Sequence, residues 1–322
     1  MRFAEIKERR IATNGIKLNI AEQGSGPLVL LLHGFPESWY SWRHQFAPLA
    51  EAGYQVVAPD MRGYGKSDKP RAVSAYNQVE VMNDIIGLIS ALGHETAVVI
   101  GHDWGAPTAW GCALHHPNQV SAVGALSVPF SPRPDKPPMD TMRALFKGVF
   151  FYQLYFQEPG VAEAEFEADI RLALRKFLYL GSGQADLPGL DAKPADADLL
   201  SDLPDFPSLP DWLTEDDLQF YVDEFTRSGF RGPLNYYRNH DLTWELTAGA
   251  PAQIDQPAMF VAGDKDGVIL MAAEALQKLP ERVPDLQINA LIPGIGHWTQ
   301  QEAPAAVNDA ILRFLRAQRS GA

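Results

Sequence analysis

The sequence predicts an α/β protein, a mostly parallel sheet core with a helical lid inserted into it. Three observations carry this. Short continuous apolar runs, such as Ala97 to Ile100, read as strands buried on both faces of a parallel sheet. They alternate with segments of helical periodicity through short connections, which implies a doubly wound sheet with its ligand site beyond the strand C-termini. The alternation stops at residue 131 and resumes after Pro257. Residues 1–130 and 246–322 therefore read as two parts of one core, and 131–245 as the inserted helical cap.

In chain order, residues 7 to 24 form two partly alternating runs joined at Asn14-Gly15, a strong hairpin signal that predicts an antiparallel entry to the sheet. Leu28 to Leu32 is a buried strand running into His33-Gly34-Phe35-Pro36. Trp39 to Ala52 reads as a helix, Tyr54 to Ala58 as a strand, and Asp60 to Asp68 as turns. Val79, Met82, Ile85, Ile86, Ile89 and Leu92 recur at helical spacing. The strand from Ala97 is expected to end at Gly101. A helix follows from Gly105, with small residues that suit close packing on a sheet. Val120 to Val128 is one more strand. Ser131 to Pro138 is proline-rich and should be extended. Met142 to Gln157 and Val161 to Leu180 are helical in pattern and rich in aromatics. Residues 182 to 213 read as a long loop. Its aspartates make a solvated surface and not a metal site, because no histidine joins them. Thr214-Glu215-Asp216-Asp217 has N-cap chemistry and opens a helical stretch to about Trp244. Ala258 to Ala262 and Leu286 to Leu291 are strands, and Glu302 to Gln318 closes as an amphipathic helix.

Composition narrows the function. With 40 Asp+Glu against 27 Lys+Arg the formal charge is −13 and no basic patch offsets it, which argues against nucleic acid or an anionic membrane as partner. Cys112 is the only cysteine, so there is no disulfide framework, and it reads as a small buried hydrophobe. The N-terminal residues lack a signal-like apolar stretch, and no apolar run approaches a membrane span. The expectation is a cytoplasmic enzyme, compatible with a monomer or a homodimer.

The chemistry gathers at Thr96 to Pro117. His102-Asp103-Trp104 sits on a sharp strand-to-helix turn between small residues, the geometry of a nucleophile elbow. The nucleophile slot holds Asp103, whose carboxylate can displace a leaving group at saturated carbon and form an alkyl-enzyme ester. A role as a mere helix cap would need none of the flanking small residues. Asp266 and His297 follow two further strands, so the order is nucleophile, acid, histidine, that of the α/β-hydrolase triad. Asp264 is a rival for the acid. No carboxylate lies in Leu126 to Pro132, the other place an acid could stand. The loop at His33 to Pro36 supplies a backbone N–H, from Phe35, that with that of Trp104 would form an oxyanion hole. His102 and His33 read as structural.

GHDWGA at 101–106, HGFPESWYSWRHQ at 33–45, DMRGYGKSD at 60–68, YQLYFQEPGVAEAE at 152–165, SGFRGPLNYYRN at 228–239, GDKD at 263–266 and GHWTQ at 296–300 together resemble the soluble epoxide hydrolases. The elbow and HGFP are shared with haloalkane dehalogenases, whereas the two tyrosine-bearing lid segments are specific. The resemblance covers nearly the whole chain and is least clear over 182–213.

It implies that Tyr152 and Tyr237 hold the epoxide oxygen, that Asp266 is the acid, and that Phe35-Pro36 is a cis peptide. From the residues alone, Tyr152 in FFYQLYF reads as a packed aromatic, and Tyr236 serves as well as Tyr237. The chemistry does require such donors. Opening a strained ether leaves an alkoxide too basic to expel unaided. His297 would then activate water against the Asp103 ester, with Asp266 orienting its ring. Phe35, Pro36, Trp104 and Gln153 are the expected substrate contacts in an apolar tunnel, and no cofactor or metal is called for. The alternatives are a haloalkane or haloacid dehalogenase, against which the tyrosines argue, and a non-catalytic ligand receptor, which would have lost a triad member.

Overall fold

In the computed structural model Asn14 and Gly15 both take left-handed backbone, φ 42° and 76°, the conformation a two-residue hairpin turn demands. They join strand β1 (Lys7–Thr13) to β2 (Ile16–Gln23) with Thr13 opposite Ile16. The structure describes residues 6–185, 193–200, 203, 204, 206 and 208–320; the parts of the expected loop at 186–192, 201, 202, 205 and 207 lie outside them. The other strands are β3 (Leu28–Leu32), β4 (Gln55–Pro59), β5 (Ala97–His102), β6 (Val120–Leu126), β7 (Ala258–Gly263) and β8 (Leu286–Ile292). They make one sheet in the order β1-β2-β4-β3-β5-β6-β7-β8. β2 meets β4 antiparallel, and every pairing from β4 to β8 is parallel.

The continuous apolar run of β3 has its reason here. Leu28, Leu30 and Leu32 enter the core on one face of the sheet, and Val29 and Leu31 the core on the other. Helices α2 (Gln78–Ala91) and α3 (Gly105–His115) cover the first face. Helix α1 (Phe46–Glu51) and α14 (Pro304–Ser320), which follows the short α13 (Thr299–Glu302), cover the second.

Between β6 and β7 lies an insertion whose described residues form seven helices: α4 (Pro138–Leu145), α5 (Tyr152–Tyr155), α6 (Val161–Ala168), α7 (Ile170–Leu180), α8 (Glu215–Ser228), α9 (Arg231–Tyr237) and α10 (His240–Leu246). It is sewn to the core by buried polar contacts. Asp217 on α8 accepts from the Tyr40 hydroxyl at 2.9 Å and pairs with Arg43 at 3.0 Å, and the Tyr221 hydroxyl donates to Gln301 Oε1 at 2.9 Å. The ring of Phe35 fills the junction, edge-on to Phe156, Phe166, Phe177 and Tyr237 at 5.5–5.8 Å.

Several element boundaries differ from expectation. The helix expected over 39–52 is a 3-10 turn, Trp39–Trp42, capped by Ser38 and then α1. Between them Arg43 and Gln45 turn inward to bond Gln301 Oε1 and the Gln300 carbonyl. Gly148, φ 78°, lies between α4 and α5, and Asp169, which caps α7 through the Leu172 N–H, separates α6 from α7. The strand expected to reach Val128 stops at Leu126, because Ser127 takes φ 68°. Two further helices, α11 (Gly267–Met271) and α12 (Ala273–Arg282), stand between β7 and β8 where the sequence pattern predicts no element.

Gly101 does not end its strand. It pairs with Ala125 inside β5, and the turn begins at Asp103. Its need for glycine is spatial, since a Cβ there would meet the Gly105 carbonyl oxygen at 1.9 Å. Gly101→Ala is therefore expected to destabilise the fold by about 3 kcal/mol or more, at the upper end of overpacking costs. The denaturant midpoint measures this, and an unchanged value would show that the elbow yields.

Candidate active site

Asp103 leaves the end of β5 in a left-handed conformation, φ 49°, which few non-glycine residues adopt. Its neighbours make the room. A Cβ on Gly34 would lie 2.3 Å from Asp103 Cβ and Oδ1, and one on Gly105 would lie 2.1 Å from the Leu32 carbonyl oxygen. The peptide between Phe35 and Pro36 is cis, as the resemblance implies. The Phe35 N–H donates to Asp103 Oδ1 at 2.7 Å, while Oδ2 lies 3.5 Å from His297 Nε2.

On the far side of its ring, His297 Nδ1 donates to both Asp266 oxygens at 3.1 Å. Asp266 is buried and also accepts from the Val268 N–H at 2.9 Å, so capping α11 fixes the carboxylate that orients the ring. Burial alone would raise the Asp266 carboxyl. The charge and N–H of His297, with the Val268 N–H, hold it below the usual carboxylate range. Burial would likewise push the His297 imidazole down, but Asp266 and Asp103 together hold it well above its ordinary value. Asp264 is exposed and accepts from the Gly294 N–H at 2.7 Å, away from the ring.

The structure adds supports that spacing does not disclose. Glu37 is fully buried and accepts from the Gly34 N–H and His102 Nδ1 on one oxygen, and from the Gln300 and Gln301 side-chain amides on the other. Burial would raise its carboxyl, and His102 and Gly34 bring it below its usual range. His102 Nε2 in turn donates to the His297 carbonyl at 2.7 Å, and the Ser127 hydroxyl donates to the same oxygen at 3.0 Å. Ser127 stands at the strand end where the alternative acid would be; its hydroxyl also lies 3.1 Å from Thr299 Oγ1 and helps hold the Asp266 carboxyl down. His33 organises its loop. Nδ1 donates to the Gly34 carbonyl, Nε2 accepts from the Met61 N–H, and burial pushes the ring down to about 4.

Tyr236 and Tyr237 are separated by their partners. The Tyr236 hydroxyl donates to the Arg62 carbonyl at 2.9 Å, a buried bond between α9 and the core. The Tyr237 ring is edge-on to Trp104 at 5.0 Å and to Tyr152 at 6.0 Å. A cavity of about 550 Å³ is lined by Asp103, Trp104, Tyr152, Gln153, Tyr236 and Tyr237, and runs on past His240; the Tyr236 ring borders it while its hydroxyl is committed to Arg62. Burial raises both the Tyr152 and the Tyr237 phenols above their ordinary value. Phe35 and Pro36 are buried and do not line this cavity, the Phe35 ring being given to packing. Pro107, Trp110, Leu114 and Val128 make its walls apolar. The arrangement presents a carboxylate with one oxygen held by a backbone N–H and the other facing a histidine, and, in the same cavity, the Tyr152 and Tyr237 phenols beside a Tyr236 whose hydroxyl is bonded to Arg62.

Residues 27–304 match the family model described as alpha/beta hydrolase fold. The chain is 43% identical over 317 residues to Epoxide hydrolase A of Mycobacterium tuberculosis, covering 96% of this chain and 97% of that one. It is 39% identical to Bifunctional epoxide hydrolase 2 of Mus musculus, over 94% of this chain and 54% of that one. An epoxide hydrolase from an endophytic Streptomyces superposes with a TM-score of 0.92 at 44% identity, over 98% of this chain and 96% of that chain.

Proposed function

Because the chain belongs to the epoxide hydrolases of the α/β-hydrolase fold, we propose that it converts an apolar or aryl-bearing epoxide to a vicinal diol through an ester on Asp103. The observation that carries this is the division of the Asp103 oxygens. Oδ1 is held by the Phe35 N–H, and Oδ2 is left toward His297 in a cavity lined by Tyr152 and Tyr237 and by Tyr236, whose hydroxyl is committed to Arg62. Oδ2 attacks an epoxide carbon while Tyr152 and Tyr237 bind the oxygen that departs. Esterification removes the Asp103 charge, one of the two that hold the His297 imidazole protonated. The ring then releases its proton to solvent, becomes a base and draws a proton from water as that water attacks the ester carbon, and returns it as the diol oxygen leaves and the Asp103 carboxylate re-forms. Charge develops on Oδ1, where the Phe35 N–H already points, with the Trp104 N–H as its partner in the oxyanion hole.

In this reading 1–130 and 246–322 form the catalytic core, and 131–245 is a cap that supplies both phenols. A cytoplasmic setting agrees with a single, buried Cys112, and no helix among the described residues is long and apolar enough to cross a membrane. A dehalogenase would share the ester but has no departing oxygen for the tyrosines to protonate.

The purified protein is expected to release diol from styrene oxide and no bromide from 1-bromobutane. In heavy-oxygen water under single turnover it should make mostly unlabelled diol, because the new diol oxygen comes from Asp103 and the solvent oxygen stays on the enzyme. Solvent label in the first-turnover diol would mean that water attacks the epoxide directly.

A further inference from the structure

Tyr152 and Tyr237 do not stand in equivalent surroundings. The Gln153 side-chain amide donates to the Tyr152 hydroxyl oxygen at 2.9 Å. A phenol has one proton, so an oxygen that accepts here keeps its own proton for an acceptor elsewhere, and both Tyr152 and Gln153 line the cavity. Gln153 is itself held, since its backbone carbonyl accepts from Gln157 Nε2 at 2.7 Å, and the same amide donates to the Tyr237 carbonyl at 3.0 Å. Gln157 thus ties α5 to α9 and fixes the two tyrosines relative to each other. Among the described residues Gln153 Oε1 is closed to solvent and has no hydrogen-bond partner, so the hydrogen bonding of this side chain goes to Tyr152. Burial raises the Tyr152 phenol and the Gln153 donor opposes it; for Tyr237, burial is joined by the charge of Asp103 and opposed by a side-chain hydrogen bond with Trp104.

We propose that Gln153 is a positioning residue that turns the Tyr152 proton toward the epoxide oxygen, so that Tyr152 delivers the proton in ring opening while Tyr237 only holds the oxygen. The assignment rests on the ester mechanism above. As Asp103 Oδ2 forms its bond to carbon, the epoxide C–O bond breaks, its electron pair stays on oxygen, and that oxygen takes the Tyr152 proton. The tyrosinate is stabilised by the Gln153 N–H until it regains a proton from solvent during ester hydrolysis. The sum is epoxide plus water to diol.

The test is the rate of Asp103 ester formation, followed by rapid quench and mass spectrometry with styrene oxide, in a cycle of variants. Gln153→Met is expected to slow ester formation about tenfold, the scale of one lost hydrogen bond to a charged group, and to leave ester hydrolysis unchanged. The same change should cost nothing further in Tyr152→Phe and the full tenfold again in Tyr237→Phe. Gln153→His, which restores an N–H donor, should recover most of the rate. A loss that persists undiminished in Tyr152→Phe would overturn the proposal by showing that Gln153 acts elsewhere. So would a faster Gln153→Met, the result if the amide carbonyl were holding the tyrosine proton back. Wild-type enzyme that turns over without any ester would remove both this assignment and the mechanism beneath it.

Discussion

His297→Gln incubated with styrene oxide is expected to gain the mass of one substrate molecule, with peptide mapping placing it on Asp103, while steady-state diol release falls by roughly a thousandfold or more. The reason lies in the distances. Oδ2 is free to attack without the imidazole, since its partner oxygen is held by the Phe35 N–H at 2.7 Å and His297 stands 3.5 Å off. Hydrolysis has no such independence. Water must lose a proton as it attacks the ester carbon, and His297, backed by both Asp266 oxygens, is the base placed to take it. A variant that neither turns over nor accumulates adduct would place His297 in the first step and refute this ordering.

Replacing both Tyr152 and Tyr237 by Phe is expected to abolish ester formation to the limit of detection, each single change costing roughly ten- to a thousandfold. With neither phenol, the ring oxygen would have to leave as a naked alkoxide in an apolar cavity. Tyr236→Phe is the internal control. Its hydroxyl is committed to the Arg62 carbonyl, so its loss should lower stability by about 1 kcal/mol and leave the rate of ester formation within a factor of two or three. Full activity in Tyr237→Phe together with loss in Tyr236→Phe would reverse the assignment.

That pair of tyrosines shows where sequence reading stops. Tyr236 and Tyr237 are consecutive on α9 and point about 100° apart. Which one meets the nucleophile depends on how α9 lies over the core, and the Tyr236–Arg62 contact joins residues 174 positions apart in the chain. The resemblance selects Tyr237, and the commitment of the Tyr236 hydroxyl to the Arg62 carbonyl supports that choice. Glu37 was equally illegible. Its motif was visible, but that it lies buried beneath the site, joined to Gln300 and Gln301 across more than 260 residues, has no local signature. The split helices at Gly148 and Asp169 were overlooked because helical periodicity continues across both breaks.

What the sequence determined by itself is the part of the molecule whose physics is local. Apolar runs buried on both faces, the hairpin at Asn14-Gly15 and the elbow glycines Gly101 and Gly105 beside Asp103 follow from neighbours within a few positions, and the chain order Asp103, Asp266, His297 is read directly from the sequence. Tertiary structure alone decided which oxygen of Asp103 is held and which is free, which tyrosine is spent on the fold, and that Ser127 and His102 hold the backbone of His297. These depend on where side chains from distant segments come to rest, and a hydrogen bond is made or lost over a few tenths of an ångström.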